Sequence, residues 1–162
     1  MLSEQTFKTI VASTPLISID LIVRDPKNKI LLGKRVNRPA QGAWFVPGGR
    51  VLKDESLEQA FTRLLKVELG MGKTISSFKG VYQHFYDDNF SEESFTTHYV
   101  VLAYEVKFKG EITALPHAQH NEYSWFSELA LLNNDNVHMH TKWYFQNDKQ
   151  ADNLITNLTI GI

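Results

Sequence analysis

Between Gly48 and Met71 the chain reads GGRVLKDESLEQAFTRLLKVELGM, and here the residue types are best spaced for chemistry. A glycine pair, Glu55, Arg63 and a Glu68-Leu69-Gly70 ending surround one amphipathic helix, expected from about Ser56 to Leu69 and stopped by Gly70. At about 100° per residue, Leu57, Phe61, Leu64 and Leu65 form one apolar stripe, and Glu68 falls inside it. An unpaired carboxylate is costly to bury, so a glutamate there calls for a cation or strong hydrogen-bond donors. The alternative is a helix that ends at Lys66 or Val67 and leaves Glu68 in solvent. Gly48 and Gly49 permit positive φ or close backbone approach, as a phosphate or metal site needs, although two glycines after a proline also make a common turn. Arg50 suits phosphate or open solvent, whereas Glu55 and Arg63, about two turns apart, read as a structural ion pair that orients the loop.

Titratable residues elsewhere divide by context. His120 lies beside Gln119 in a polar loop, where a structural role has little to recommend it. His84 and His98 fall in strands and read as hydrogen-bonded packing, while His117, His138 and His140 read as surface residues. Asp20 interrupts the apolar run Ile17 to Val23, either as a solvent-facing carboxylate or as a site residue. Tyr99 reads as strand core and Phe7 as an apolar residue of an N-terminal helix.

The elements that must hold these residues alternate. A helix over Glu4 to Ser13 is followed by strands over Leu16 to Val23 and Lys29 to Val36, joined by the turn Arg24 to Asn28. A short strand from Ala43 to Val46 ends at Pro47-Gly48-Gly49. Phe78 to Tyr86 and His98 to Phe108 form a long hairpin with a polar, acidic connection at 87 to 93. Glu122 to Phe126 is a further strand, Ser127 caps a helix through Leu132, and residues 135 to 148 form a last helix. This order predicts an α/β fold, a mixed sheet packed between helices.

At 162 residues the chain is expected to be a single domain, with a weakly specified tail at 146 to 162. A net charge of −1 gives no field that would draw nucleic acid or an anionic membrane. The absence of cysteine excludes disulfides and thiolate zinc sites. No apolar run is long enough to span a membrane, and MLSEQTFKTI lacks the pattern of a secretory signal, so a cytoplasmic protein is expected.

Gly49, Glu55, Arg63 and Glu68-Leu69-Gly70-Met71 at these spacings resemble the Nudix box. That resemblance implies an α/β/α sandwich whose loop–helix–loop binds a divalent cation and a diphosphate. The family's usual glutamates directly after the arginine and four residues on are here Leu64 and Val67, so only Glu68 of the usual metal carboxylates remains. One carboxylate suits one hard cation better than a cluster, and its isolation weakens metal-assisted attack on phosphorus. Either the protein only binds its ligand, or its chemistry lies elsewhere.

Further segments, among them Trp44 to Val51, Gln83 to Phe90, Phe95 to Leu102, Gln119-His120 and Asp135 to His138, are similar to the GDP-mannose mannosyl hydrolase subfamily. The similarity runs to about Phe145 and implies water attack at the anomeric carbon with inversion, releasing GDP on one Mg²⁺. By position it implies His120 as general base, with Glu68, Gln119 and the Gly48 carbonyl as Mg²⁺ ligands. Arg35 and Arg50 would offset the charge of GDP, Asp20 would hold the sugar, Tyr99 a phosphate and Phe7 the guanine, with His84 as a substrate contact. A homodimer is implied as well. The competing readings are a pyrophosphatase giving GMP and sugar 1-phosphate, and a non-catalytic nucleotide-sugar sensor.

Overall fold

The fold is organised around a hairpin that closes at its turn and then opens. In the computed structural model, residues 1–110, 115–116 and 120–154 are described, except for the side chains of residues 120, 121 and 154. Strands β1 (Leu16–Arg24) and β2 (Ile30–Arg35) are joined by a turn in which Asp25 Oδ1 accepts from the amides of Lys27 and Lys29 at 2.9 and 2.8 Å. Arg24 pairs with Ile30 next to that turn, and beyond it the strands take different neighbours. Strand β4 (Gly48–Arg50) lies antiparallel on β1, with Asp20 opposite Gly48 and Ser18 opposite Arg50. Strands β3 (Trp44–Phe45) and β7 (His120–Phe126) pair with β2. On the other edge of β1, β6 (Thr97–Lys107) runs parallel, and β5 (Ser76–Tyr86) pairs antiparallel with β6. The result is a mixed sheet of seven strands among the described residues, in the order β3-β2-β1-β6-β5 with β4 on β1 and β7 on β2.

Helices cover both faces, as the alternation of elements predicts. Helix α2 (Leu57–Leu69) packs Ala60, Leu64, Leu65 and Leu69 on Ile19, Leu21 and Val23 of β1. Its start is a capping box: Ser56 Oγ accepts from the Gln59 amide at 3.1 Å and Gln59 Oε1 from the Ser56 amide at 2.8 Å. Its end is Gly70 in the left-handed region at φ 64°, whose amide bonds back to the Lys66 carbonyl. Leu57 is exposed, so the apolar stripe begins at Ala60 rather than at the first turn. The opposite face packs Ile22, Ile30, Leu32 and Val101 against helix α3 (Glu128–Leu132) and the aromatic run Trp143-Tyr144-Phe145. Helix α1 (Glu4–Ser13) matches its predicted span. Among the described residues no helix is long and apolar enough to cross a membrane.

One expectation holds only in part and another fails, each for a physical reason. Gly48 and Gly49 form a strand, not a turn, and neither has positive φ. A Cβ on Gly48 would lie 2.4 Å from the Ile19 carbonyl oxygen, and one on Gly49 would lie 2.6 Å from Leu64 Cδ2, so close approach is what requires glycine. The long helix expected over 135 to 148 is a single turn, α4 (Met139–Lys142). Trp44 accepts from the His138 amide at 3.1 Å and donates to the Asn136 carbonyl at 2.9 Å, which holds 136–138 extended and delays the helix. The expected weak tail is also packed in part: Asp152 and Asn153 accept from the β5 amides of Gln83 and Val81 at 2.7 and 2.9 Å.

Gly48→Ala should cost about 1–3 kcal/mol, because the obstacle is backbone, and Gly49→Ala less, because Leu64 can rotate its methyl away. Urea unfolding midpoints check this; a Gly48→Ala midpoint equal to wild type would contradict it.

Candidate active site

On β1, side chains alternate between faces, so Asp20 points away from the α2 side that Ile19 and Leu21 occupy. There a cleft of about 270 Å³ is lined by Asp20, Arg35, Gly48, Arg50, His84 and Tyr99, drawn from five strands, together with Phe7 of α1. The structure therefore gathers seven of the residues singled out from the sequence.

Asp20 is half-buried and not solvent-facing. Tyr144 Oη donates to its Oδ2 at 2.6 Å. Burial raises the carboxyl to about 6, against the lowering effects of that bond and of Arg35. His84 is 4% exposed, with Nε2 3.3 Å from Tyr144 Oη. Its ring stacks on His140 at 4.2 Å, and burial holds it neutral.

His140 and His138 correct the surface reading. His140 is 2% exposed, packed between the His84 and Trp143 rings, and its Nδ1 has no hydrogen-bond partner among the described residues. His138 is half-buried; its Nδ1 accepts from the His140 amide at 3.1 Å as the cap of α4, and its ring stacks on Phe45. His98 stacks on Phe85 at 4.3 Å, and its Nε2 has no partner among the described residues.

Neither Arg35 nor Arg50 has an acidic partner within 4.0 Å among the described residues. Arg35 lies over the Phe45 ring at 5.3 Å and Arg50 over the Phe7 ring at 4.2 Å. Phe7 also packs on Phe90 at 4.7 Å, which brings the 87–93 connection to the cleft. That connection is folded around buried Asn89, whose Nδ2 donates to the Glu93 and Phe95 carbonyls at 2.8 and 2.7 Å.

The ion pair of Glu55 and Arg63 forms as expected, with Nε to Oε1 at 2.7 Å and Nη2 to Oε2 at 2.8 Å. Arg63 Nη2 also donates to the Arg50 carbonyl at 2.8 Å and Glu55 accepts from the Leu52 amide at 2.9 Å, so the pair straps the loop after β4 to α2. The Arg63 bonds and the Leu52 amide hold the Glu55 carboxyl down at about 2.

Glu68 does not fray. It is 3% exposed, one helical turn beyond the Leu64 side chain that abuts Gly49. Burial raises its carboxyl to about 7, and the charge of Arg63 pulls it partly back. Leu64 is core at 2% exposure, while Val67 is 49% exposed. Among the described residues no three Asp, Glu or His side chains converge as a metal cluster. Glu68, a single buried carboxylate on α2, is a ligand type that suits one hard cation completed by neutral oxygen donors. Gln119 and His117 lie outside the described residues. The His120 backbone sits opposite Arg35 on β2, at the register irregularity after Lys34, and its side chain is outside the description.

Tyr144 is the contact that sequence reasoning missed. The signal available was the Trp143-Tyr144-Phe145 run, too aromatic for a surface helix.

The NUDIX domain model matches residues 14–146. The low-salt glycan biosynthesis protein Agl8 of Haloferax volcanii is 45% identical over 103 residues, 64% of this chain and 65% of that protein. The ADP-ribose pyrophosphatase of Methanocaldococcus jannaschii is 41% identical over 68 residues, 42% of this chain and 40% of that protein. These matches span less than two thirds of either relative. Among solved structures, the MutT protein of Methanosarcina mazei Go1 aligns with a TM-score of 0.66 at 22% identity, covering 82% of this chain and 92% of that one. The NUDIX domain of Shewanella oneidensis NrtR, complexed with ADP ribose, aligns with a TM-score of 0.61 at 19% identity, covering 88% and 96%. At such identities the likeness is one of fold.

Glu68 makes a pH prediction. The folded state keeps its proton up to about pH 7, and the unfolded chain releases it near 4.5. Across that window the folded state binds more protons, so Glu68 lowers stability as pH rises, by up to about 3 kcal/mol. Glu68→Gln should flatten this fall in urea titrations of the metal-free protein; an unchanged slope would contradict it.

Proposed function

Because this chain belongs to the Nudix hydrolase family, we propose that it hydrolyses GDP-mannose, with GDP-glucose as a second substrate, to GDP and the free sugar. The observation that carries this reading is the altered box on α2. Two carboxylates that would support attack at phosphorus are a core leucine, Leu64, and an exposed valine, Val67, and Glu68 alone remains. Support also comes from the opposite face of β1, where a carboxylate, two arginines without acidic partners among the described residues and a neutral histidine line one cleft. The 45% identity to a glycan biosynthesis protein supports a sugar-linked substrate.

In this reading Glu68, the Gly48 carbonyl and Gln119 hold one Mg²⁺, which when bound neutralises the leaving diphosphate. Arg35 and Arg50 bind the phosphate oxygens through planar, permanently charged forks. Phe7 stacks on guanine, Tyr99 bonds a phosphate, and Asp20 and His84 hold the sugar. His120 takes a proton from water as the water oxygen bonds to the anomeric carbon. The bond from that carbon to the phosphate oxygen breaks, its electron pair leaves with GDP, and the carbon is inverted. The active form is a cytoplasmic homodimer.

The similarity to an ADP-ribose pyrophosphatase favours the rival cleavage at phosphorus, giving GMP and sugar 1-phosphate. Hydrolysis in ¹⁸O-water decides between them. The proposal predicts label in the sugar and none in GDP; label on phosphorus overturns it, and tight binding without turnover would make the protein a sensor. His120→Gln should lower kcat by about 10²–10⁴-fold with nucleotide affinity kept; a full rate near pH 7 would remove His120 as base.

A further inference from the structure

Tyr144 stands behind the cleft and touches two residues that line it. Its Oη lies 2.6 Å from Asp20 Oδ2 and 3.3 Å from His84 Nε2. A tyrosine hydroxyl carries one proton, and an ionised carboxylate has none to offer, so the short bond to Asp20 uses that proton. The contact with His84 is then a hydrogen bond if Nε2 carries the hydrogen and the Tyr144 oxygen accepts it. A neutral imidazole has a single N–H, which leaves Nδ1 with a lone pair. The His84 ring is held in place by stacking on His140 at 4.2 Å and 13°, and by Trp143 at 5.9 Å. The Tyr144 ring is held by an edge contact with Tyr82 at 4.8 Å.

We infer that Tyr144 is a positioning residue that fixes both the Asp20 carboxylate and the Nε2–H tautomer of His84. Both residues line the cleft, and this arrangement leaves Asp20 Oδ1 and His84 Nδ1 free of the Tyr144 contact as acceptors for hydroxyl donors, the pattern a glycosyl group supplies. This inference rests on the nucleotide-sugar reading and deepens it. Its structural half, the tautomer, stands apart from the reaction. Burial supports the neutral ring, since it pushes the imidazole down to about 2.

The test uses the full chain labelled with ¹⁵N-histidine at pH 8, with the His84 signals assigned by their loss in His84→Gln. Wild-type protein should show Nε2 protonated and Nδ1 bare, a readout that does not depend on Tyr144→Phe folding. Tyr144→Phe keeps the ring contact with Tyr82 and removes only the hydroxyl. It should give a mixed or Nδ1–H tautomer, lower kcat on GDP-mannose by roughly tenfold or more, and leave the Kd for GDP within about twofold. A bare Nε2 in the wild-type protein overturns the inference, as does Tyr144→Phe with unchanged tautomer and kcat. If GDP-mannose is not turned over at all, the functional reading fails while the tautomer result still decides the role of Tyr144.

Discussion

Strand β4 lies so close to its neighbours that two of its three residues have no room for a side chain. The Ile19 carbonyl closes on Gly48 from β1, and Leu64 closes on Gly49 from α2. This double approach lets one thin strand pair with β1 beneath the helix, in the space left where β2 departs from β1 after the turn. The Arg63 bond to the Arg50 carbonyl and the Glu55 bond to the Leu52 amide then hold the following loop on the helix. Shift β4, and Arg50, Gly48 and the spacing of Glu68 from the cleft all move with it.

That strand also separates a half-buried carboxylate from a buried one. Asp20 lies on the face of β1 away from α2, and Glu68 lies on α2 one turn from the contact with Gly49. Burial raises both, to about 6 and about 7, but their partners differ. Asp20 accepts a hydrogen bond from Tyr144 and feels Arg35, which keeps it ionised at neutral pH. Glu68 has the charge of Arg63 nearby and stays close to neutral pH in its titration, a state that a bound cation would reverse. Environment thus gives the same functional group two distinct settings on either side of a glycine strand.

Much of this arrangement is legible in the chain itself. The capping box at Ser56, the glycine stop at Gly70 and the position of Glu68 in the stripe follow from local spacing, and local spacing is what decides a helix. Alternation along β1 places Asp20 opposite Ile19 and Leu21 once one face is known to be core. What local spacing does not carry is contact between distant segments. The bonding of Trp44 to Asn136 and His138 shortens the last helix, and nothing near residue 138 announces it. Tyr144 meets Asp20 across 124 residues of sequence, so its role emerges only when the sheet and the aromatic run are packed together. His140 reads as a surface residue for the same reason, because its burial is created by His84 and Trp143.

In the proposed function the box on α2 would keep one metal ligand while water attacks carbon from the opposite side of the sugar. The stereochemistry of the first-formed product reads this directly. Time-resolved proton NMR of GDP-mannose hydrolysis, recorded before the free sugar mutarotates, should show the anomer inverted relative to the substrate. A retained anomer, or a sugar 1-phosphate in place of the free sugar, would contradict the account.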